Sequence, residues 1–228
     1  MRTRLGGGSL ELVAWGFRNP FGLAFAPDGR LYVTDNAYDK RGSRPVFGAG
    51  DQLFVVEQGR WYGWPDYHGG RTVASGLYEP PGGDEPRRVL ARDPRPPSRP
   101  VALFAVHSSS NGIDFSRSTA FGHVGDAFVA QFGDMATGSG KVLGPVGFKV
   151  VRVDVTRGVV HDFAINRGRQ NGPATKVGGA GIGRPVAVRC DPAGNALYVV
   201  DFGVMTIGDS PQPYPETGVI WRITRSTP

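Results

Sequence analysis

Four polar residues flank the first strand-like part of the chain, and their types suit a charged ligand. Arg18 and Asn19 stand immediately before an apolar run, and Asp35 and Asn36 stand immediately after the next one. A guanidinium group makes strong, directional hydrogen bonds to anionic groups, and an amide both donates and accepts. Charges of both signs in one place predict a site for a polar ligand or for a cofactor held through a metal ion.

A structural role for the carboxylates is the alternative. Asp35 and a similarly placed residue, Asp201, each end a strand-like run. Aspartate side chains commonly accept hydrogen bonds from nearby backbone N–H groups, which would hold the strand ends in place. Arg18 would then pair with Asp35, and neither group would serve a ligand. The sequence alone leaves both interpretations open.

The runs between these residues belong to a repeat, and the repeat determines where they lie. Residues 20–35 (PFGLAFAPDGRLYVTD) recur at 185–201 (PVAVRCDPAGNALYVVD), and a looser copy covers 111–131. Each copy joins two apolar runs through a turn segment, which is the pattern of a β-hairpin. We expect hairpins at 23–33, 113–129 and 188–199.

Further apolar runs surround each hairpin and predict a four-stranded unit. One run follows each hairpin in a constant register, at 53–56, 150–153 and 220–223, and another precedes it, at 10–15, 101–106 and 159–164. Four-stranded repeats of this kind are typical blades of a β-propeller. We predict an all-β fold of three four-stranded blades, at about 10–56, 101–153 and 159–223, with segment 79–100 as a Pro- and Arg-rich loop between blades.

Strand direction places the polar residues of all three units at one rim. Because the two strands of a hairpin run in opposite directions, Arg18 and Asn19 share an end of the sheet with Asp35. The corresponding groups are 107–111 with Gln131 and Asp134 in the second unit, and Arg184 with Asp201 in the third. Charged residues of the long segments at this rim are Asp39, Lys40, Arg41, Arg44, Asp134, Lys141 and Asp209.

Three other motifs indicate structure rather than chemistry. Residues 178–183 (GGAGIG) resemble a phosphate loop, but no helix pattern follows, so we predict a flexible loop. Residues 107–110 (HSSS) contain the residue types of a catalytic triad, but adjacent residues rarely form one, so we predict a hydrogen-bond network. The lone cysteine, Cys190, occupies a strand position and is predicted to be a buried, unreactive thiol.

Composition excludes several classes of protein. The 35 glycines and 19 prolines disfavour long helices, and no apolar stretch has the length of a membrane span. The net charge is +6, but the arginine-rich loop lacks interleaved aromatic residues, so we predict solvated surface and no nucleic-acid site. Residues 1–8 lack the apolar core of a signal peptide, which leaves the compartment open.

Two motifs carry a resemblance to a known family. Residues 18–29 (RNPFGLAFAPDG) and 61–65 (WYGWP) resemble the glucose/sorbosone dehydrogenase family, and the later repeats extend the resemblance over nearly the whole chain. This resemblance implies a six-bladed propeller that uses pyrroloquinoline quinone (PQQ) and calcium to oxidise sugars or related aldehydes. It also implies a periplasmic or secreted location.

The resemblance also implies roles for particular residues. Arg18 and Asn19 match the pair that contacts the quinone, and Asn36 is the amide that follows. Ala37 and Tyr38 replace a Gly-Pro whose backbone carbonyls hold calcium, and any residue supplies a carbonyl. The family's catalytic histidine belongs to an early blade with no counterpart here, unless His107 replaces it.

Three blades are half of six, so the chain resembles the C-terminal half of a larger protein. We expect it to contribute one side of a quinone site and to be inactive alone. The partner would be a missing N-terminal half or a second copy, covering exposed residues such as Leu12, Phe104 and Ile220. The alternatives are a non-catalytic module that binds a protein or glycan at the rim, and a fragment without function.

Overall fold

Short β-strands dominate the structure, as the repeat predicts. It is a computed structural model that describes residues 1–38, 44–135, 145–167, 172–177, 180–207 and 210–225, with backbone only at 176–177. The helical elements in these ranges are a 3-10 turn at Gly76–Tyr78 and helix α1 at Ala174–Val177. In the part of the chain that is described, no helix is long and apolar enough to cross a membrane.

The strands follow one another in chain order. They are β1 (Ala14–Trp15), β2 (Pro20–Phe25), β3 (Leu31–Asp35), β4 (Gly50–Val56), β5 (Arg60–Trp61), β6 (Tyr67–His68), β7 (Arg71–Thr72), β8 (Ala102–Val106), β9 (Ser110–Phe115), β10 (Ala127–Gln131), β11 (Lys149–Asp154), β12 (Val159–Ala164), β13 (Pro185–Cys190), β14 (Ala196–Asp201), β15 (Met205–Thr206), β16 (Gln212–Pro213) and β17 (Val219–Thr224). Segment 79–100 contains neither helix nor strand.

Three antiparallel sheets organise the longer strands. The first sheet has the order β2-β3-β4-β8, the second β9-β10-β11-β12 and the third β13-β14-β17. The predicted hairpins are confirmed, since Leu23 faces Val33, Ile113 faces Val129, and Val188 faces Val199. The predicted third strands also pair in equivalent registers, with Val55, Arg152 and Arg222 facing Tyr32, Phe128 and Tyr198.

The fourth strands differ from the prediction. Strand β8 pairs with β4 of the first sheet, and β12 pairs with β11 of the second, so each run closes the sheet before it rather than opening the next. Run 10–15 was predicted to belong to the first sheet, but its strand β1 pairs in parallel with β5 in a separate two-stranded sheet. The third sheet has three strands in the described residues, not four.

The core lies between the sheets. One apolar cluster joins the first two sheets through residues such as Tyr32, Leu53 and Phe115, and a second joins the second and third sheets through residues such as Phe128 and Val188. Phe104 was predicted to lie on an uncovered face, but it is buried in the first cluster because β8 turns this residue towards the second sheet.

Two glycines allow the first strands of neighbouring sheets to approach closely. A Cβ atom on Gly22 would lie 2.3 Å from the carbonyl oxygen of Asn111, and one on Gly112 would lie 2.5 Å from Cα of Ala187. Strands β2, β9 and β13 therefore lie side by side. Thr34 strengthens the first contact, since its hydroxyl donates a hydrogen bond of 2.6 Å to the same Asn111 carbonyl.

Candidate functional site

All five residues predicted to hold the cofactor or the metal line one cavity. Its volume is about 180 Å³, and it lies where the first two sheets meet at the rim. Its lining consists of Arg18, Asn19, Asn36, Ala37, Tyr38, Ala49, Asp51, His107, Ser109, Gly133 and Met135. The repeat and the strand directions thus suffice to bring distant polar residues together.

Asp35 fixes the entry of the first strand. Its carboxylate accepts hydrogen bonds from the backbone N–H groups of Asn19 (2.7 Å) and Arg18 (3.3 Å). Burial raises the pKa of Asp35 to about 6, although the two backbone hydrogen bonds act to lower it. Asp35 therefore has the structural role of holding a strand end. The guanidinium group of Arg18 donates a hydrogen bond of 3.4 Å to the carbonyl oxygen of Asn36.

Asp201 has the same role in the third sheet. Its two carboxylate oxygens accept hydrogen bonds of 2.7 Å from the N–H groups of Gly183 and Arg184. The guanidinium of Arg184 donates to the carbonyls of Phe132 to Asp134, and burial lowers its pKa to about 10. Arg184 is thus committed to holding the second and third sheets together.

Asn36 offers an acceptor for a ligand. Its amide nitrogen donates a hydrogen bond of 3.0 Å to Oδ1 of Asn111 in the second sheet. Its own Oδ1 atom is buried and has no hydrogen-bond partner among the described residues. A buried acceptor without a partner costs free energy, and a donor group on a bound molecule would remove that cost.

Asp51 lines the cavity and was not singled out from the sequence. It is the second residue of β4 and is 3% exposed, and burial raises the pKa of its carboxyl group. It accepts hydrogen bonds from the N–H groups of Ala37 (3.0 Å) and Ser110 (2.7 Å) and from the hydroxyl of Ser108 (2.9 Å). One signal in the sequence could have identified Asp51. It is a charged residue at the start of a strand, directly after the rim segment that follows Asp35.

The predicted calcium ligands provide backbone oxygens. In the described residues, the carbonyl oxygens of Ala37 and Tyr38 accept no hydrogen bond, and no group of three or more His, Cys, Asp or Glu side chains could hold a metal ion. The Tyr38 hydroxyl donates to the Pro65 carbonyl at 2.8 Å, and burial raises the pKa of this tyrosine. Any cation here would depend on the carbonyls, which Ca²⁺ accepts as ligands.

The segment before β9 is bent into an uncommon conformation at the cavity. His107 and Ser109 have φ angles of 62° and 51°, in the left-handed region that few non-glycine residues adopt. Such residues cluster at functional sites. The predicted hydrogen-bond network is confirmed, since the hydroxyls of Ser108 and Ser110 lie 2.9 Å apart and Gln131 donates to Ser110 at 3.1 Å.

Several predicted rim residues lie elsewhere. Arg44 forms an ion pair of 2.7 Å with the buried Asp66, outside the cavity. Cys190 was predicted to be buried but is half-buried; this partial burial raises the pKa of its thiol to about 11. Seven residues named in the sequence analysis lie outside the described ranges: Asp39, Lys40, Arg41, Lys141, Gly178, Gly179 and Asp209.

Comparison with known proteins gives one family and a set of similar folds. The family model described as glucose/sorbosone dehydrogenase matches residues 5–135, more than half of the 228-residue chain. Comparison with curated protein sequences gave no match.

Three solved structures illustrate the similarity in fold. The PQQ domain of a pyranose dehydrogenase from Coprinopsis cinerea, in its holo form, has 19% identity and a TM-score of 0.55, over 82% of this chain and 52% of that one. A calcium structure of a Carbohydrate-Active Enzymes family AA12 protein from Trichoderma reesei has 18% identity and a TM-score of 0.54, over 82% and 50%. A glucose dehydrogenase has 21% identity and a TM-score of 0.50, over 97% and 49%. The chain spans about half the length of each.

Proposed function

Because the chain belongs to the glucose/sorbosone dehydrogenase family, we propose that it is the C-terminal part of a quinone-dependent sugar dehydrogenase-like β-propeller. Each of the three sheets would be one blade, and together they would form half of a six-bladed ring. Two features support this proposal: the same hairpin register recurs in all three sheets, and the chain spans about half of the similar structures.

The observation that carries the proposal is the cavity lined by all five predicted residues. The guanidinium group of Arg18 would pair with a carboxylate of PQQ, because such charge-assisted bonds are strong and directional. Asn19 and the unpaired Oδ1 of Asn36 would orient the cofactor by hydrogen bonds. When bound, PQQ supplies the two-electron acceptor for oxidation of a sugar or related substrate.

Calcium would bind through the carbonyl oxygens of Ala37 and Tyr38. Both are free of hydrogen bonds among the described residues, and Asp51 holds the N–H of Ala37 from the other side. The replacement of Gly-Pro by Ala-Tyr does not remove these oxygens. The residues present therefore offer hydrogen-bonding groups for the quinone and two of the oxygen ligands that a calcium ion would need.

The site also needs a general base that takes the proton of the substrate hydroxyl. The resemblance places the family's histidine in a region without counterpart here, and His107 lines the cavity as the one local histidine in the described lining. We expect the chain to bind the cofactor from one side without oxidising sugars, until a partner completes the ring. That partner would be an N-terminal half or a second copy of the chain.

A non-catalytic module that binds a protein or a glycan at this rim is the second candidate. Ala37 and Tyr38, which stand where the resemblance implies Gly-Pro, favour it, because this replacement changes the backbone preferences of the turn that would hold calcium. This candidate predicts that the folded chain does not bind the quinone.

Titration of the purified chain with PQQ, with and without calcium, separates these candidates. We expect a saturable change in PQQ absorbance that requires calcium, and no reduction of a dye acceptor when glucose is added. An absorbance that stays unchanged at every calcium concentration would contradict the cofactor site and favour the binding module, which a glycan array would then test.

A further inference from the structure

Tyr38 is held by its side chain rather than by its backbone. Among the described residues, neither its N–H group nor its carbonyl oxygen takes part in a hydrogen bond. Its hydroxyl group donates a hydrogen bond of 2.8 Å to the Pro65 carbonyl oxygen and lies 3.3 Å from that of Tyr67. Burial raises the pKa of Tyr38, so the hydroxyl stays protonated and remains a donor. The side chain therefore fixes a piece of backbone that belongs to no helix or strand.

The acceptor of this bond lies in a segment that is itself held from several sides. The Pro65 carbonyl oxygen also accepts a hydrogen bond of 2.8 Å from Nη1 of Arg44. The next residue, Asp66, is fully buried, and its carboxylate pairs with the same guanidinium group at 2.7 Å. It also accepts hydrogen bonds of 2.7 to 3.0 Å from the N–H groups of Val89 and Leu90. A group bonded to Pro65 is thus attached to a fixed point.

His68 connects the same segment to the strand that carries Asp51. Its Nε2 atom lies 2.6 Å from the carbonyl oxygen of Gly50, the residue directly before Asp51. Because a carbonyl oxygen can only accept, Nε2 carries the hydrogen of a neutral imidazole, whose pKa is lowered by burial. The ring also packs edge-on against Tyr38, with the ring centroids 6.4 Å apart. Segment 65–68 therefore contacts Tyr38 and holds the start of β4.

The two residues of the proposed calcium site are each attached to a buried partner. Asp51 accepts the N–H group of Ala37 at 3.0 Å, and Pro65 accepts the hydroxyl of Tyr38 at 2.8 Å. Along the chain, the Ala37 carbonyl lies between these attachments and the Tyr38 carbonyl lies directly at the second. The affinity of a site for calcium depends on its rigidity as well as on its ligands. The attachments would thus orient both oxygens in advance.

We propose that Tyr38 is a positioning residue for the cation, and that its hydroxyl, held by segment 65–68, fixes the Ala37 and Tyr38 carbonyl oxygens before calcium binds. This inference rests on the proposed function for the identity of the cation, but the anchoring itself involves no cofactor. It gives the Tyr38 side chain a role in addition to that of its backbone oxygen.

A purely structural role of the Tyr38 hydroxyl is the alternative, and Tyr62 provides the comparison. The Tyr62 hydroxyl also donates to a backbone carbonyl, that of Val55 at 2.6 Å, and this residue is buried but does not line the cavity. Tyr38→Phe and Tyr62→Phe each remove one hydroxyl and keep the ring, so both should lower the free energy of unfolding. A positioning role requires that Tyr38→Phe alone alters the calcium segment.

The first test measures the anchoring without any cofactor. Amide hydrogen exchange followed by NMR reports on the N–H groups of Ala37 and Ser110, which both donate to Asp51. In Tyr38→Phe we expect exchange of the Ala37 N–H to accelerate about tenfold relative to that of Ser110, on the scale of one lost hydrogen bond. Tyr62→Phe should leave this ratio unchanged. An unchanged ratio in Tyr38→Phe would overturn the proposal.

The second test uses calcium. In Tyr38→Phe we expect the calcium concentration that half-saturates the change in PQQ absorbance to rise about tenfold or more, the usual cost of removing a group that orients a metal ligand. In Tyr62→Phe it should keep the wild-type value. Equal midpoints in the two variants would overturn the positioning role, because lost stability alone would affect both. A wild-type chain without any calcium response would instead overturn the proposed cofactor site and the cation part of this inference, and the exchange ratio would still decide whether Tyr38 is the anchor.

Discussion

The carboxylate of Asp51 holds the backbone of Ala37, since its Oδ1 atom accepts a hydrogen bond of 3.0 Å from the Ala37 N–H. Its Oδ2 atom accepts from Ser108 and Ser110 of the second sheet's entry. A single buried side chain thus sets the position of a proposed calcium ligand relative to the second sheet.

Replacing Asp51 should disturb both stability and calcium binding. In Asp51→Asn an amide N–H would face a backbone N–H, so we expect a loss of about 1–3 kcal/mol in the free energy of unfolding and weaker calcium dependence of PQQ binding. Urea denaturation and PQQ titration would measure the two effects. Asp28→Asn is the control, because Asp28 lies in an exposed turn and pairs with its neighbour Arg30; equal behaviour of the two variants would contradict the role of Asp51.

Removing the Arg18 guanidinium should weaken quinone binding. We expect Arg18→Ala to cost roughly 1.5–3 kcal/mol of PQQ affinity, the scale of a charge-assisted hydrogen bond. Calorimetric titration of the chain would measure it, with Arg30→Ala in the exposed turn as a control for loss of positive charge. Unchanged affinity in Arg18→Ala would leave Arg18 as a structural donor to Asn36.

Asp35 should make stability depend on pH. Its pKa rises from an ordinary 3.8 to about 6 in the folded chain, so between these values the folded state binds the proton more tightly than the unfolded state. Stability from this group is therefore fully present below pH 4 and is lost as pH rises through 6, by as much as about 3 kcal/mol. Urea denaturation at pH 4 to 7 should show wild type losing stability relative to Asp35→Asn; a constant difference would refute this.

Gly22 should tolerate no side chain. Its Cβ atom would lie 2.3 Å from the carbonyl oxygen of Asn111, and backbone cannot yield as a flexible side chain can. We expect Gly22→Ala to lower the free energy of unfolding by roughly 1–3 kcal/mol through separation of the first two sheets. Thermal denaturation would measure this against Gly6→Ala, where an added Cβ meets nothing within 4 Å. A stability equal to that of the control would show that the sheets adjust freely.

The repeat in the sequence was sufficient to predict the hairpins and the shared rim of Arg18, Asn19 and Asn36, whereas Ala37 and Tyr38 followed only from the family resemblance. Turn chemistry and strand direction are local properties, so they place Arg18, Asn19 and Asn36 together without knowledge of the sheet packing. The same reasoning failed for the fourth strands. Whether run 101–106 joins the sheet before or after it depends on which edge is free, and no property of the run itself records that choice.

Burial on the faces was harder to predict for the same reason. Phe104 and Ile220 both look like surface-facing residues of an incomplete ring, but only Ile220 is exposed, because β8 turns Phe104 into the core. Asp51 was missed because its partners come from two separate segments, around Ala37 and at 108–110, which only the packing of the first two sheets brings within hydrogen-bond distance.

Asp35 and Asp201 each hold the entry to the first strand of their sheet by accepting hydrogen bonds from two successive backbone N–H groups, those of Arg18 and Asn19 and those of Gly183 and Arg184. Because backbone groups donate these bonds, they depend neither on the side chains of the four donor residues nor on the length of the segments that follow Asn36 and Gly203. These segments can therefore be replaced by others of different sequence and length, which would change what the rim binds while the strands keep their register. The same property makes the positions after Asp35 and Asp201 natural points for grafting foreign recognition loops.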